Sequence, residues 1–243
     1  MRLTVQLYTL RNELSNDLEG TLDRLQSIGL GFVELAGDYG RSASEWKQLL
    51  DARGLKVSAS HVGLAELESN LGKVIEDNQT LENPFVVLPW LSPDDYASGW
   101  TAMAQRVEPI GRKLQDAGFR FAYHNHAFEF ENDGLSEFYE AADPKFVEAQ
   151  LDLAWVKLGG DDPLAWIEKL TGRLPLVHLK DFDPSKTPQW TPAGQGTLDF
   201  DTILPACAKA QVVFGAIELD ESPIAPLDAV QQSVEYFNSK GIR

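Results

Sequence analysis

Residues 123–132 read Tyr-His-Asn-His-Ala-Phe-Glu-Phe-Glu-Asn. Two of the chain's four histidines, His124 and His126, stand one residue apart there, and Glu129 follows three residues after the second. The other two, His61 and His178, fall at the ends of apolar runs elsewhere. Asp152 closes the run VEAQLD, His178 leads into Lys180 and Asp181, and Glu218 leads into Asp220. Imidazoles and carboxylates of this kind do two sorts of chemistry. They ligate divalent cations through nitrogen and oxygen, and they move protons near neutral pH.

Each residue also has a plain structural reading. A lone histidine at a strand end is commonly a hydrogen-bonded packing residue. Asp152 could cap the turn that follows it. Lys180 could pair with Asp152 or Glu218 in a purely structural salt bridge. Glu131 and Glu148 read as solvent-facing. Glu218 is harder to explain, because Ile217 and Leu219 flank it and a buried carboxylate needs a partner. Several carboxylates converging at one place repel unless something neutralises them. A divalent cation does so, and with no thiolate in the set the choice among Mn²⁺, Mg²⁺, Co²⁺, Fe²⁺ and Zn²⁺ stays open.

The elements that must position these groups alternate along the chain. Strands are expected at 3–8, 31–35, 56–61, 84–90, 119–125, 147–152, 174–180 and 212–219. Between them lie segments of helical period at 17–29, 42–54, about 65–80, from Ser92-Pro93 to Gly118, 134–142, 162–170, 199–210 and 226–241. Ser42 and Glu45 make a capping-box pattern, and Gly29 and Gly54 mark helix ends. Strands alternating with helices pair in parallel, since each crossover returns over one face. Eight such units in 243 residues predict an α/β fold, a (β/α)8 TIM barrel forming one domain over residues 1–243. A doubly wound open sheet would carry a glycine-rich turn after its first strand; here that turn is TLRNELSN, residues 9–16, with no glycine. In a parallel barrel, reactive groups sit at the C-terminal ends of strands. All four histidines fall at such ends.

The charge narrows the partners. Asp and Glu number 37 against 21 Lys and Arg, a net charge of −16, which disfavours nucleic acid and anionic membrane surfaces. Cys207 is the only cysteine, so no disulfide forms within the chain; it reads as a small buried residue. No apolar run approaches membrane length and the N-terminus lacks a signal-peptide pattern, so a cytoplasmic location is expected. A small-molecule substrate is the expected partner; a homo-oligomer is left open.

Five short motifs in order then resemble one family: VQLYTLR (5–11), the Tyr123–Phe130 segment, QLDLAWV (150–156), VHLKD (177–181) with GQGTLDF (194–200), and IELD (217–220). The chain resembles the sugar phosphate isomerase/epimerase group, the xylose isomerase-like TIM barrels, over essentially its whole length. It looks closest to a branch that includes inosose dehydratase-like enzymes and keto-sugar lyases. The resemblance implies one divalent metal, Mn²⁺ first among the candidates, held by Glu, Asp, His and Glu from the last four strands. Asp152, His178 and Glu218 match three of these. Glu129 is taken as the fourth, with His124 in its place if the fifth strand ends earlier. His61 and Lys180 match substrate-facing positions, and Tyr8, His124 and Trp155 join them. Trp90, Trp155 and Trp190 could stack on a sugar face or simply pack the barrel. Gln195 departs from the family pattern, which has Glu there. A DNA-repair endonuclease among the relatives needs many more histidines, and its Asp-x-x-His pair would fall on Asp152 and Trp155.

The implied activity is sugar isomerisation or epimerisation: the metal chelates a carbonyl and a neighbouring hydroxyl, and a base removes the carbon-bound proton to give an enediolate. His126, Glu129 and Glu218 are the candidate bases, and Lys180 the group beside the developing oxyanion. Loss of a β-leaving group from the same state makes the enzyme a dehydratase or lyase of a keto-sugar or inosose. Two readings from other classes are a non-catalytic sugar-binding barrel and a metal-dependent hydrolase. The hydrolase usually carries a His-x-His pair on its first strand, which VQLYT lacks.

Overall fold

A computed structural model describes residues 1–243. In chain order its strands are β1 (Arg2–Gln6), β2 (Phe32–Ala36), β3 (Lys56–His61), β4 (Phe85–Leu88), β5 (Arg120–His124), β6 (Glu148–Asp152), β7 (Leu176–His178), β8 (Asp181–Phe182), β9 (Trp190–Thr191) and β10 (Phe214–Ile217). Eight of them close into a barrel in the order β1-β10-β7-β6-β5-β4-β3-β2. Neighbours pair in parallel all the way round. β8 and β9 form a separate antiparallel hairpin.

Alternate residues of a strand point to opposite faces, and that rule sorts the barrel into layers. The outward residues, such as Val86, Phe121, Leu151 and Val177, pack against the surrounding helices in one large core. The inward ones near the N-terminal end are apolar: Ala59, Phe85, Val87, Ala122, Leu176 and Phe214 form their own cluster. At the C-terminal end the inward side chains turn polar. Gln6, Glu34, His124, Gln150, Asp152, His178 and Glu218 are buried there, and His61 is partly so. A folded chain places this many polar groups inside only where each finds a partner or a function.

Helix boundaries follow local chemistry. Ser42 and Glu45 close the expected capping box on the helix Ala43–Asp51, and Gly29 ends the helix Leu18–Ile28 with φ of 94°, a conformation that favours glycine. Several boundaries differ from the sequence expectation. β1 stops at Gln6, because the Gln6 side chain accepts the Tyr8 N–H at 3.0 Å and starts a 3₁₀ turn, Leu7–Leu10. The glycine-free segment after it is the helix Arg11–Asn16. The stretch 65–80 is two helices, Leu64–Ser69 and Leu71–Thr80, broken at Asn70. The helix expected to follow Ser92-Pro93 begins only at Trp100; Ser92 and Asp95 make a bonded turn before it. β7 ends at His178, so Lys180 leaves the barrel and leads into the β8–β9 hairpin. No helix is long and apolar enough to cross a membrane.

Candidate metal and active site

The polar layer is organised around a residue that the sequence reading passed over. Glu34, on β2, is 1 % exposed. Its Oε1 lies 2.7 Å from Gln6 Nε2, 2.7 Å from His178 Nε2 and 3.0 Å from His61 Nε2. Its Oε2 accepts from Gln150 Nε2 at 2.6 Å. Burial alone would raise its pKa, but His178 and His61 outweigh burial and hold the carboxyl well below its usual range. The signal was in the sequence: Glu34 stands between Val33 and Leu35, the same setting that marked Glu218.

His178 is held from both sides. Burial disfavours its charge, yet Glu34 and Glu218 overcome that and raise it to about 10. Because Nε2 is committed to Glu34, Nδ1 faces inward, 2.8 Å from Glu218 Oε2 and 3.9 Å from Asp152 Oδ2. A carboxylate on the far nitrogen of a histidine is the usual way a metal-binding imidazole is oriented.

Asp152 does two things at once. Its Oδ1 accepts the N–H groups of Ala154 and Trp155, both at 2.9 Å, and so caps the helix Leu153–Leu158. Its Oδ2 is buried with no hydrogen-bond partner. Lys180 Nζ lies 3.3 Å from that oxygen, an ion-pair distance without hydrogen-bond geometry.

His124, Asp152, His178 and Glu218 offer ligand atoms that all lie within 4.8 Å of one another. Three of these were expected from the sequence outright, and His124 as the alternative to Glu129. The fourth is His124, not Glu129. β5 ends at His124 and a 3₁₀ segment follows, which carries Glu129 away from the cluster. Glu129 instead accepts from Tyr123 Oη at 2.7 Å and from the His126 N–H at 2.8 Å. Burial raises it to about 7. It braces the strand end.

A second grouping, His61 with His124 and His178, is already satisfied, since His61 Nε2 also meets Gln150 Oε1 at 2.7 Å. The carboxylate-bearing group is the one left open. His124 Nδ1 and Asp152 Oδ2 are both buried and unpartnered. Charge points the same way: the four carboxylates of Glu34, Asp152, Glu218 and Asp220 meet only the His61 and His178 imidazoles and the Lys180 ammonium. Two imidazoles and two carboxylates suit a divalent transition metal, so the residues present fit one such ion.

Lys180 was expected to face substrate. It is 1 % exposed, and its ammonium touches Glu218 Oε2 and Asp220 Oδ2, each at 2.9 Å, besides Asp152. The rings of Trp190 and Trp155 lie 4.8 and 5.3 Å from it. Burial would lower its pKa, but Asp152, Glu218 and Asp220 together raise it. Lys180 therefore acts as an internal counter-ion on the Asp220 side of the cluster. It leaves the His124 nitrogen unmet.

Above the cluster opens a cavity of about 410 Å³, whose wall includes Tyr8, His61, Trp90, His124, His126, Glu218 and Asp220. Tyr8 sits at the rim, 45 % exposed, under the Arg11 guanidinium at 4.3 Å. His126 Nδ1 has no partner, and burial lowers the imidazole to about 4. Trp155 is on the neighbouring wall, its ring 5.5 Å from that of His126. Asp220, which the sequence reading noted only as a strand end, lines the same cavity beside Glu218.

Comparisons with known proteins agree with this fold. An inosose dehydratase of Clostridium beijerinckii is 24 % identical over 77 % of this chain and 76 % of its own length. A crystal structure of a sugar phosphate isomerase/epimerase from Parabacteroides distasonis superposes with a TM-score of 0.85 at 22 % identity, covering 98 % of this chain and 93 % of that one. A crystal structure of the IOLI protein with a binding zinc atom superposes with a TM-score of 0.73 at 14 % identity, covering 98 % and 97 %. The family model described as "Xylose isomerase-like TIM barrel" matches residues 22–239, and the chain belongs to that family.

Proposed function

We propose that this chain is a divalent-metal-dependent carbon–oxygen lyase that removes water from a neutral keto-sugar or keto-polyol. The observation that carries this reading is the asymmetry of the cavity wall. Its carboxylates, Glu218 and Asp220, come from one strand end, while three imidazoles, His61, His124 and His126, stand on the same wall with the Tyr8 phenol. Elimination needs a base for the carbon-bound proton and a different group for the departing hydroxyl. The name of the Clostridium relative, inosose dehydratase, supports the same reading.

His124, Asp152, His178 and Glu218 would hold the metal. When bound, the ion supplies Lewis acidity that makes the hydrogen beside a carbonyl easier to remove. The remaining steps belong to the protein. His126 has a free Nδ1 and takes the proton from carbon. The carbon–oxygen bond one carbon further along then breaks with its electron pair, and the leaving hydroxide takes a proton from Asp220 in its neutral carboxyl form, which burial favours by raising the group to about 6, and departs as water. Lys180 holds Asp220 and Glu218 side by side. Once Asp220 has given up its proton, that cation offsets the repulsion between the two carboxylates. His61, both of whose nitrogens are held by Gln6, Glu34 and Gln150, shapes the cavity wall with its ring, and Tyr8 and Trp90 screen the mouth from water.

The test is proton NMR in D₂O with inososes and free keto-hexoses, run with Mn²⁺, Co²⁺ and Zn²⁺ in parallel. Metal-dependent loss of water with deuterium entering the product supports the lyase. Exchange with retention of all oxygens assigns an isomerase or epimerase instead. A chain that binds metal and sugar yet exchanges no carbon-bound proton is a sugar-binding barrel, and the enzymatic reading fails.

A further inference from the structure

The cavity over the cluster is continued by a second one. This groove holds about 550 Å³, and Phe128, Phe130, Trp155 and Leu158 line it together with Trp90 and His126. Trp90 and His126 also belong to the first wall, so the two spaces meet at those side chains. Each alone is of a size that takes one small ligand. Three features describe what would fit the groove. Trp90 is 51 % exposed, and a tryptophan left open at a cavity rim is an unused apolar platform. Glu131 is the only charged residue on the wall, and neither cavity is lined by lysine or arginine. A phosphate or carboxylate would meet a negative charge and no cation. Trp155, which lines the groove, carries a buried indole N–H without a partner, a donor whose burial no hydrogen bond offsets.

We propose that the groove is a subsite for a second ring: the substrate is an uncharged glycoside-type molecule whose keto-sugar ring sits over the cluster while an attached neutral ring stacks against Trp90 and the aromatic wall. The placement of the keto-sugar ring rests on the function proposed above; the groove itself does not. Aryl and pyranose rings both offer flat, weakly polar faces to aromatic side chains, and the probes separate them.

The experiment measures binding of three unreactive compounds to the full chain by calorimetry: methyl β-glucopyranoside, phenyl β-glucopyranoside and cellobiose. A ring-bearing compound is expected to bind about tenfold more tightly than the methyl glycoside, which is about 1.4 kcal/mol. Gain with phenyl alone assigns an aryl ring, and gain with cellobiose alone a second sugar. Leu158→Trp, which fills the groove, should abolish the gain and leave methyl glycoside binding in place. Trp90→Ala, which lines both spaces, should weaken all three but bring the ratio to one, and circular dichroism checks that each variant is folded. Equal binding of the three compounds, no binding up to their solubility, or a gain that survives in both variants overturns the proposal. None of the probes carries a ketone. A failed elimination assay therefore leaves the groove standing, and a missing ring gain leaves the lyase standing.

Discussion

His178 Nε2 lies 2.7 Å from Glu34 Oε1, and that bond decides which nitrogen of His178 faces the cluster. Glu34 touches none of the open space itself, being 1 % exposed. It works by fixing a tautomer and a ring orientation. Replacing Glu34 with Gln should lower divalent-metal affinity by roughly 10–100-fold, the usual cost of losing such a partner. Competition against a fluorescent chelator measures this without any assay of turnover. Unchanged affinity would mean that the metal reading of His178 is wrong.

Metal should stabilise the fold. An ion that binds only the folded chain adds about 2.7 kcal/mol when present at about a hundred times its dissociation constant. Melting with Mn²⁺ against melting with EDTA should show that increment. Glu218→Gln should lose it while remaining folded. A variant that keeps the full metal-dependent increment removes Glu218 from the ligand set.

Lys180 gives a complementary expectation. Lys180→Met leaves Asp152, Glu218 and Asp220 without their shared cation. Breaking a buried pair in this way costs about 3–5 kcal/mol. Added divalent metal should recover part of the loss, so the metal-induced rise in Tm should be larger in the variant than in the parent. An equal rise in both proteins would show that ammonium and metal do not share the same carboxylates.

Glu129 predicts a pH effect on stability. Burial raises it from 4.5 to about 7 in the folded chain. A folded pKa above the unfolded one means the folded state binds the proton more tightly. Its stabilising contribution is complete below pH 4.5 and is lost as pH rises through 7, by at most about 3 kcal/mol. Urea midpoints at pH 5 and pH 8 for the parent and for Glu129→Gln isolate it. The parent should lose more stability across that interval than the variant. The opposite order would show that Glu129 stays ionised throughout.

His126→Asn should keep metal affinity and lose exchange of the substrate's carbon-bound hydrogen. If exchange in D₂O continues at the parent rate, the base lies elsewhere on the wall.

Much of this arrangement was readable from residue order. The strand–helix alternation gives the barrel, and Asp152, His178 and Glu218 fall together at its C-terminal end because the first two end strands and the third directly follows one. What was not readable turns on single positions. Glu129 was favoured over His124 because the end of β5 could not be placed to within a few residues, and the chain turns into a 3₁₀ segment sooner than its apolar content implies. Tyr8 left β1 for a similar reason: Gln6 bonds to the backbone two residues on. Glu34 was missed because a strand read for hydrophobicity absorbs one acidic residue without changing its pattern. Lys180 was given an open face because β7 was drawn two residues too long, and sequence alone does not show three carboxylates closing on one ammonium.

Asp152 begins a helix with one oxygen and looks into the cluster with the other. The ligand atoms all lie within 4.8 Å of one another, and an ion bound at about 2.1 Å on either side would hold them within roughly 4.2 Å. Tightening that spread would tug on the first turn of the helix, whose second amide belongs to Trp155. Trp155 borders the groove. The same carboxylate that would grip an ion is thus geared to the wall that would grip a ring, and loading one end of the molecule's working surface should stiffen the other.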